Sequence, residues 1–207
     1  MNLLTSSNSK LKRDGIWAFS IPAYKSESGK VICLGALDCL FGCYARGGFF
    51  LMPSVRKAYE RNLKITQSKD FVGLMLREIK VKRAKIVRIH ASGDFYSKGY
   101  LASWLKIIAQ CPETKFYAYT KMIPLFKGLG FSLPENFTVI FSEGGKWDAM
   151  ISAHDRHARV FQNRKDMIAA GYQDTTTNDI NAIGNNPKIG LVYHGSKSKA
   201  WNTERAS

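Results

Sequence analysis

The sequence contains no run of eighteen or more apolar residues, so no membrane-spanning helix is expected. Its opening, MNLLTSSNSKLKR, holds no apolar stretch long enough for a signal peptide. Both absences point to a cytoplasmic location, where cysteines stay reduced. Cysteine is scarce: four in 207 residues are too few for a disulfide scaffold. Acidic residues are scarce as well. Only 16 Asp+Glu face 31 Lys+Arg, a net charge of +15. Such a field attracts polyanions, of which nucleic acid is the commonest, although a merely solvated basic surface carries the same charge. The imbalance is uneven. Residues 1–90 hold 17 Lys+Arg against 6 Asp+Glu, a net of +11; residues 91–207 hold 14 against 10, a net of +4. No internal repeat, low-complexity linker, RNP1 motif or zinc-finger spacing is found.

What is present is ample for a core: 45% hydrophobic residues and 12% aromatics. The length suits one domain, placed at 1–195, with a polar, disordered tail at 196–207. IWAFSIPA (16–23), KIVRIHA (85–91), KFYAYT (115–120), FTVIFS (137–142) and KIGLVYH (188–194) read as strands. Pro53 opens a helix to about Leu63, and a second runs from Asp70 to Arg83 with Phe71, Val72, Leu74, Met75 and Ile79 inward. Ser97 caps a third, with Tyr100, Leu101, Trp104, Leu105 and Ile108 on one stripe. A fourth is expected around 155–170, ending at Gly171. Strand–helix alternation predicts a single α/β domain with a mostly parallel sheet.

Residues with chemistry follow the strands. His90, Ser92 and Asp94 come after the second, Tyr119, Thr120 and Lys121 end or follow the third, Ser142 and Glu143 the fourth, and His194 the last. Sites in parallel sheets and barrels form at the carboxyl ends of strands, so these positions are expected to converge on one mouth. His90 and Asp94 are candidates for proton transfer or ligation, or else members of a satisfied turn. Lys121 suits a phosphate or carboxylate. Ser142, Glu143 and Gly144 open SEGGKW, whose backbone N–H groups can cradle a cosubstrate. Arg88, mid-strand, requires an anionic partner if buried: Asp94, Glu143 or a ligand. His154 and His157 are spaced to share a helix face. The basic segments VRKAYERNLK (55–64) and KVKRAK (80–85), the first with Tyr59 interleaved, suit phosphates and stacking, or a solvated helix face.

Cys33, Cys39 and Cys43 sit within eleven residues, in VICLGALDCLFGCYARGG. Thiolates suit iron–sulfur clusters and zinc, and Gly35 and Gly42 allow the loop to turn its sulfurs inward. Three protein ligands leave a fourth position open. Cys111 is expected at the far end of a helix, away from this loop. Three small buried apolar side chains remain the alternative.

NSKL (8–11), FSIPA (19–23), CYA (43–45), RIHASGDFYS (88–97), FYAYTK (116–121) and IGLVYHG (189–195) occur in that order. Together they resemble the phage "gene product eighty-eight" family over nearly the whole chain. Beyond that, the chain resembles outlying radical S-adenosylmethionine enzymes, which place a three-cysteine loop after the first strand of a full or partial TIM-like barrel. That resemblance implies a partial barrel here, with Cys33, Cys39 and Cys43 ligating a [4Fe–4S] cluster. It also implies S-adenosylmethionine on the open iron, with Ser92, Gly93 and Asp94 beside it. The gaps here, Cys-x5-Cys-x3-Cys, are longer than the Cys-x3-Cys-x2-Cys of most such enzymes. Two competitors stand beside this expectation. One is a non-catalytic nucleic-acid-binding protein with structural zinc or packed cysteines. The other is a zinc hydrolase using His90 and Asp94.

Overall fold

Seven parallel strands form one curled sheet, a half-barrel, in a computed structural model that describes residues 2–6 and 8–193. The strands are β1 (Ile16–Phe19), β2 (Ile86–Ile89), β3 (Lys115–Thr120), β4 (Phe137–Ser142), β5 (His157–Phe161), β6 (Gln173–Asp174) and β7 (Lys188–Val192). Their order in the sheet is β1-β2-β3-β4-β5-β7-β6. Every pairing is parallel. His194 and the tail at 196–207 lie outside the described residues.

Parallel strands are covered on both faces, which explains their apolar, aromatic and β-branched content. One face, with Phe19, Val87, Ile89, Phe116 and Ala118, packs against α3 (Phe71–Lys82) and α4 (Lys98–Ala109). Trp104 of α4 is fully buried there, edge-on to Phe19 and Phe71 with ring centroids at 5.3 and 5.5 Å. The opposite face, with Ile16, Ala18, Tyr117, Ile140, Ala158 and Ile189, is covered by Leu11 of α1 (Ser9–Arg13) and by Ala182.

The helix signals act as expected. Proline opens α2 (Pro53–Thr66), where its missing N–H costs nothing. The Ser97 hydroxyl accepts the Tyr100 N–H at 3.2 Å and caps α4. Arg83 ends α3 in the left-handed region, at φ 48°. The stretch 155–170 departs from expectation. It holds β5 followed by the short helix α6 (Arg164–Ala169), and Gly171 follows at φ +76°. His157 begins that strand, so His154 and His157 share no helix face. Flanking by β4 and β7 decides the matter: β5 hydrogen-bonds on both sides despite its polar sequence. Two further short elements had no sequence signal, β6 and α5 (Ile123–Lys127).

Candidate functional site

The cysteine loop lies across the carboxyl-terminal edge of the sheet and is fastened to four strand ends. After β2, the Ala91 carbonyl accepts the Tyr44 hydroxyl at 2.7 Å. After β3, the backbone of Lys121 lies against Gly35, where a Cβ would come within 2.4 Å of the Lys121 carbonyl oxygen. Only glycine permits that approach. After β4, the Gly144 carbonyl accepts the Cys39 N–H at 3.2 Å, and the Lys146 N–H donates to the Gly35 carbonyl at 2.9 Å. After β7, the Tyr193 hydroxyl donates to the Gly42 carbonyl at 3.1 Å. The loop itself is three short turns of 3-10 helix, Asp38–Leu40, Tyr44–Arg46 and Gly48–Leu51.

All three cysteines are free thiols, each partly exposed. Cys33 lies in the electrostatic field of Cys39 and Cys43, and Cys39 in that of Cys43. Burial pushes all three thiols up. Cys33 is raised further by the Asp94 carboxylate, against which the Tyr24 N–H, 3.3 Å from its sulfur, acts to lower it. The Lys121 charge partly offsets burial at Cys39, and the Ala45 N–H and Arg46 do so at Cys43. Among the described residues, no three Cys, His, Asp or Glu side chains are grouped to hold one metal ion. Cys111 sits by Pro112 and Thr114, at the opposite edge where β3 begins.

Asp94 and Lys121 do reach this edge, as structural ties. Asp94 is buried. Its Oδ1 accepts the Phe95 N–H and the Thr120 hydroxyl, each at 2.7 Å, and its Oδ2 accepts the Lys121 N–H at 2.9 Å. Burial raises its carboxyl despite those bonds. The Lys121 ammonium donates to the Ser142 carbonyl (3.0 Å), the Ser142 hydroxyl (2.6 Å) and the Glu143 carbonyl (2.6 Å). Three donors meet three acceptors, which closes the end of β4. Gly93, at φ +90°, packs so tightly that a Cβ would lie 2.3 Å from Ile21 Cγ1. The buried Ser92 hydroxyl has no hydrogen-bond partner among the described residues.

Other expected residues are committed elsewhere. His90 points into the aromatic core, with Nε2 2.8 Å from the Tyr100 hydroxyl and its ring 4.6 Å from Phe95. Burial lowers it to about 3, so it is neutral near pH 7, and its Nδ1 has no partner among the described residues. The N–H groups of Gly144 and Gly145 donate to Asp148 at 2.7 and 3.0 Å rather than facing an open cradle. The Glu143 carboxylate accepts Arg159 at 2.6 Å and the Tyr172 hydroxyl at 3.3 Å. Arg88 has an anionic partner that its sequence neighbourhood does not contain: Asp179, at 2.9 Å. Asp179 is fully buried and also takes Lys10 at 2.6 Å and the Tyr117 hydroxyl. Burial alone would raise its carboxyl, but Arg88 and Lys10 hold it below the usual range. Arg88 also reaches the Tyr44 hydroxyl at 3.4 Å, linking this ionic cluster to the cysteine loop.

Against known proteins, the family described as Gene product 88 matches residues 2–207. The chain is 36% identical over 61 residues to the Gene 88 protein of Mycobacterium phage L5, covering 30% of this chain and 26% of that protein. It is 42% identical over 43 residues to the Gene 88 protein of Mycobacterium phage D29, covering 21% and 18%. The matched segments thus span about a quarter or less of those relatives. No solved structure matches. No helix among the described residues is long and apolar enough to cross a membrane.

Proposed function

The chain belongs to the Gene product 88 family, and from the site it carries we propose that Cys33, Cys39 and Cys43 ligate a [4Fe–4S] cluster with one iron free of protein ligands. One observation carries this reading. Three partly exposed cysteines of a single loop, which is tied to the ends of β2, β3, β4 and β7, lie across the carboxyl-terminal edge of a parallel half-barrel. Their donor chemistry fits: thiolates are the usual cluster ligands. A single ion needs all its donors around one point, and no such group is present among the described residues. A four-iron cluster distributes its cysteines over separate irons, so it accepts sulfurs spaced more widely.

A cluster held by Cys33, Cys39 and Cys43 would supply one-electron reducing chemistry at its open iron. The chain's own residues build the seat. Lys121 brings positive charge to Cys39 and Cys43 while tying β3 to β4. Asp94 locks the turn after β2 to the end of β3. Gly35 lets the loop lie flat on that end. Most groups expected around a cosubstrate already have partners within the chain. Asp94, which the wider resemblance puts beside S-adenosylmethionine, already accepts three hydrogen bonds; in the separate glycine loop, the Gly144 and Gly145 N–H groups serve Asp148 and the Glu143 carboxylate serves Arg159. Among the described residues, the buried Ser92 hydroxyl is left without a partner.

A second reading draws on the burial of the sulfurs and the missing single-ion group. There the cysteines pack as small apolar side chains in a basic nucleic-acid-binding protein. Single substitutions separate the two. Cys33→Ala, Cys39→Ala and Cys43→Ala should each abolish the visible absorption and iron content of anaerobically reconstituted protein, whereas Cys111→Ala keeps both. Iron retained equally in all four variants overturns the cluster, and colourless wild-type protein supports packed thiols.

A further inference from the structure

Seven of the twelve large hydrophobic side chains exposed among the described residues fall within residues 34–52. Contiguous exposed apolar surface marks a contact site. Three of the seven are aromatic: Phe49 is 80% exposed, Phe41 57% and Tyr44 54%. The backing of this surface is firm. Tyr44 meets Phe50 with ring centroids at 5.5 Å, and Phe50 meets Tyr59 of α2 at 6.3 Å. The Tyr44 hydroxyl is anchored to the Ala91 carbonyl.

Charge along this segment is mostly positive. Arg46, Arg56 and Lys57 are exposed; against them stand Asp38 in the loop and Glu27, whose carboxylate lies 3.7 Å from Arg56. Exposed rings among cationic side chains suit a strand of unpaired bases. Every base has a face that stacks on an aromatic ring, and Arg and Lys take the phosphates. A duplex hides its base faces, and an apolar protein partner would offer no anion to Arg46 and Lys57.

We infer that the aromatic rim of the cysteine loop, with the basic start of α2, is a stacking platform for single-stranded nucleic acid. As a binding surface it stands whatever the thiols hold. As the route by which a substrate strand reaches Cys33, Cys39 and Cys43, it rests on the cluster reading.

The test is fluorescence anisotropy with the full chain, using labelled oligo-dT and a duplex of equal length over a salt series. The single strand should bind more tightly than the duplex. Phe41→Ala with Phe49→Ala should weaken single-strand binding by roughly tenfold or more. Both side chains are largely in water, so circular dichroism should be unchanged. Arg56→Gln with Lys57→Gln should make the slope of log affinity on log salt shallower by about 1.4. Unchanged affinity in the double phenylalanine variant overturns the platform, as does a duplex bound equally well. So does a dimeric wild type that the same variant renders monomeric with no change in oligonucleotide affinity. Iron is measured on the same samples. Strand affinity lost while iron is retained supports the platform. Iron-free wild type that still binds strands through these rings also supports it, and removes only the cluster.

Discussion

Acid should destabilise this protein through one buried imidazole. His90 is enclosed by Phe19, Phe95 and Tyr100 and is held neutral, with its protonation lowered to about 3 by burial. In the unfolded chain it titrates near 6.5. Between those values the unfolded state binds a proton that the folded state refuses, so stability rises with pH and falls on acidification. The effect begins below about pH 6.5 and grows until about pH 3. At pH 4 the chain is about 2.5 units below the unfolded value, and each unit is worth about 1.4 kcal/mol, so His90 alone should cost about 3 kcal/mol. The assay is urea unfolding at pH 7 and pH 4 on wild type and His90→Asn. Asparagine suits the position because His90 lies in the left-handed region, at φ 63°. The variant should start less stable at pH 7, having lost the Tyr100 bond and the ring packing. Its further loss on moving to pH 4 should be smaller than that of wild type by about 3 kcal/mol. Other titrating groups, including Asp94 and Asp179, are common to both proteins and cancel in the difference. Equal acid losses in the two proteins would refute the reasoning and would restore His90 as a group able to gain a proton in the folded state.

Other substitutions follow from the same geometry. Gly93→Ala forces a side chain to within 2.3 Å of Ile21 at φ +90°, and should lower unfolding free energy by at least about 2 kcal/mol in urea titrations. A loss under half of that would mean the turn after β2 adapts freely. Asp179→Asn removes the charge shared by Lys10 and Arg88 in a buried setting, and should cost about 3–5 kcal/mol. Near-wild-type stability of that variant would show that the ionic cluster does not hold α1 and β2 together.

How far the sequence announced this molecule depends on the range of the interactions involved. KFYAYT and FTVIFS are continuous runs of strand-forming residues, and β3 and β4 take those bounds. The Ser97 cap and the Trp104 stripe are local patterns within one helix, and both recur in α4. HARVF is polar and helix-compatible taken alone; only its neighbours β4 and β7 make it a strand, and neighbours of that kind are not encoded locally. At the site, the position of Asp94 and Lys121 after β2 and β3 was enough to bring them to one edge. Their roles depend on which acceptors lie across the gap, so the three carbonyl and hydroxyl partners of Lys121 had no signal. Asp179 lies 91 residues from Arg88 in a polar turn, and nothing near either residue names the other. Tyr44 is different: it directly follows Cys43, and an aromatic at that place was a usable hint of the loop's anchor.

The cluster itself is tested most directly by counting iron and acid-labile sulfide in wild-type protein reconstituted without oxygen. A [4Fe–4S] site predicts roughly four of each per chain, with broad visible absorption that fades on exposure to air. Protein that stays colourless, or that holds a single zinc ion and no sulfide, would contradict the cluster.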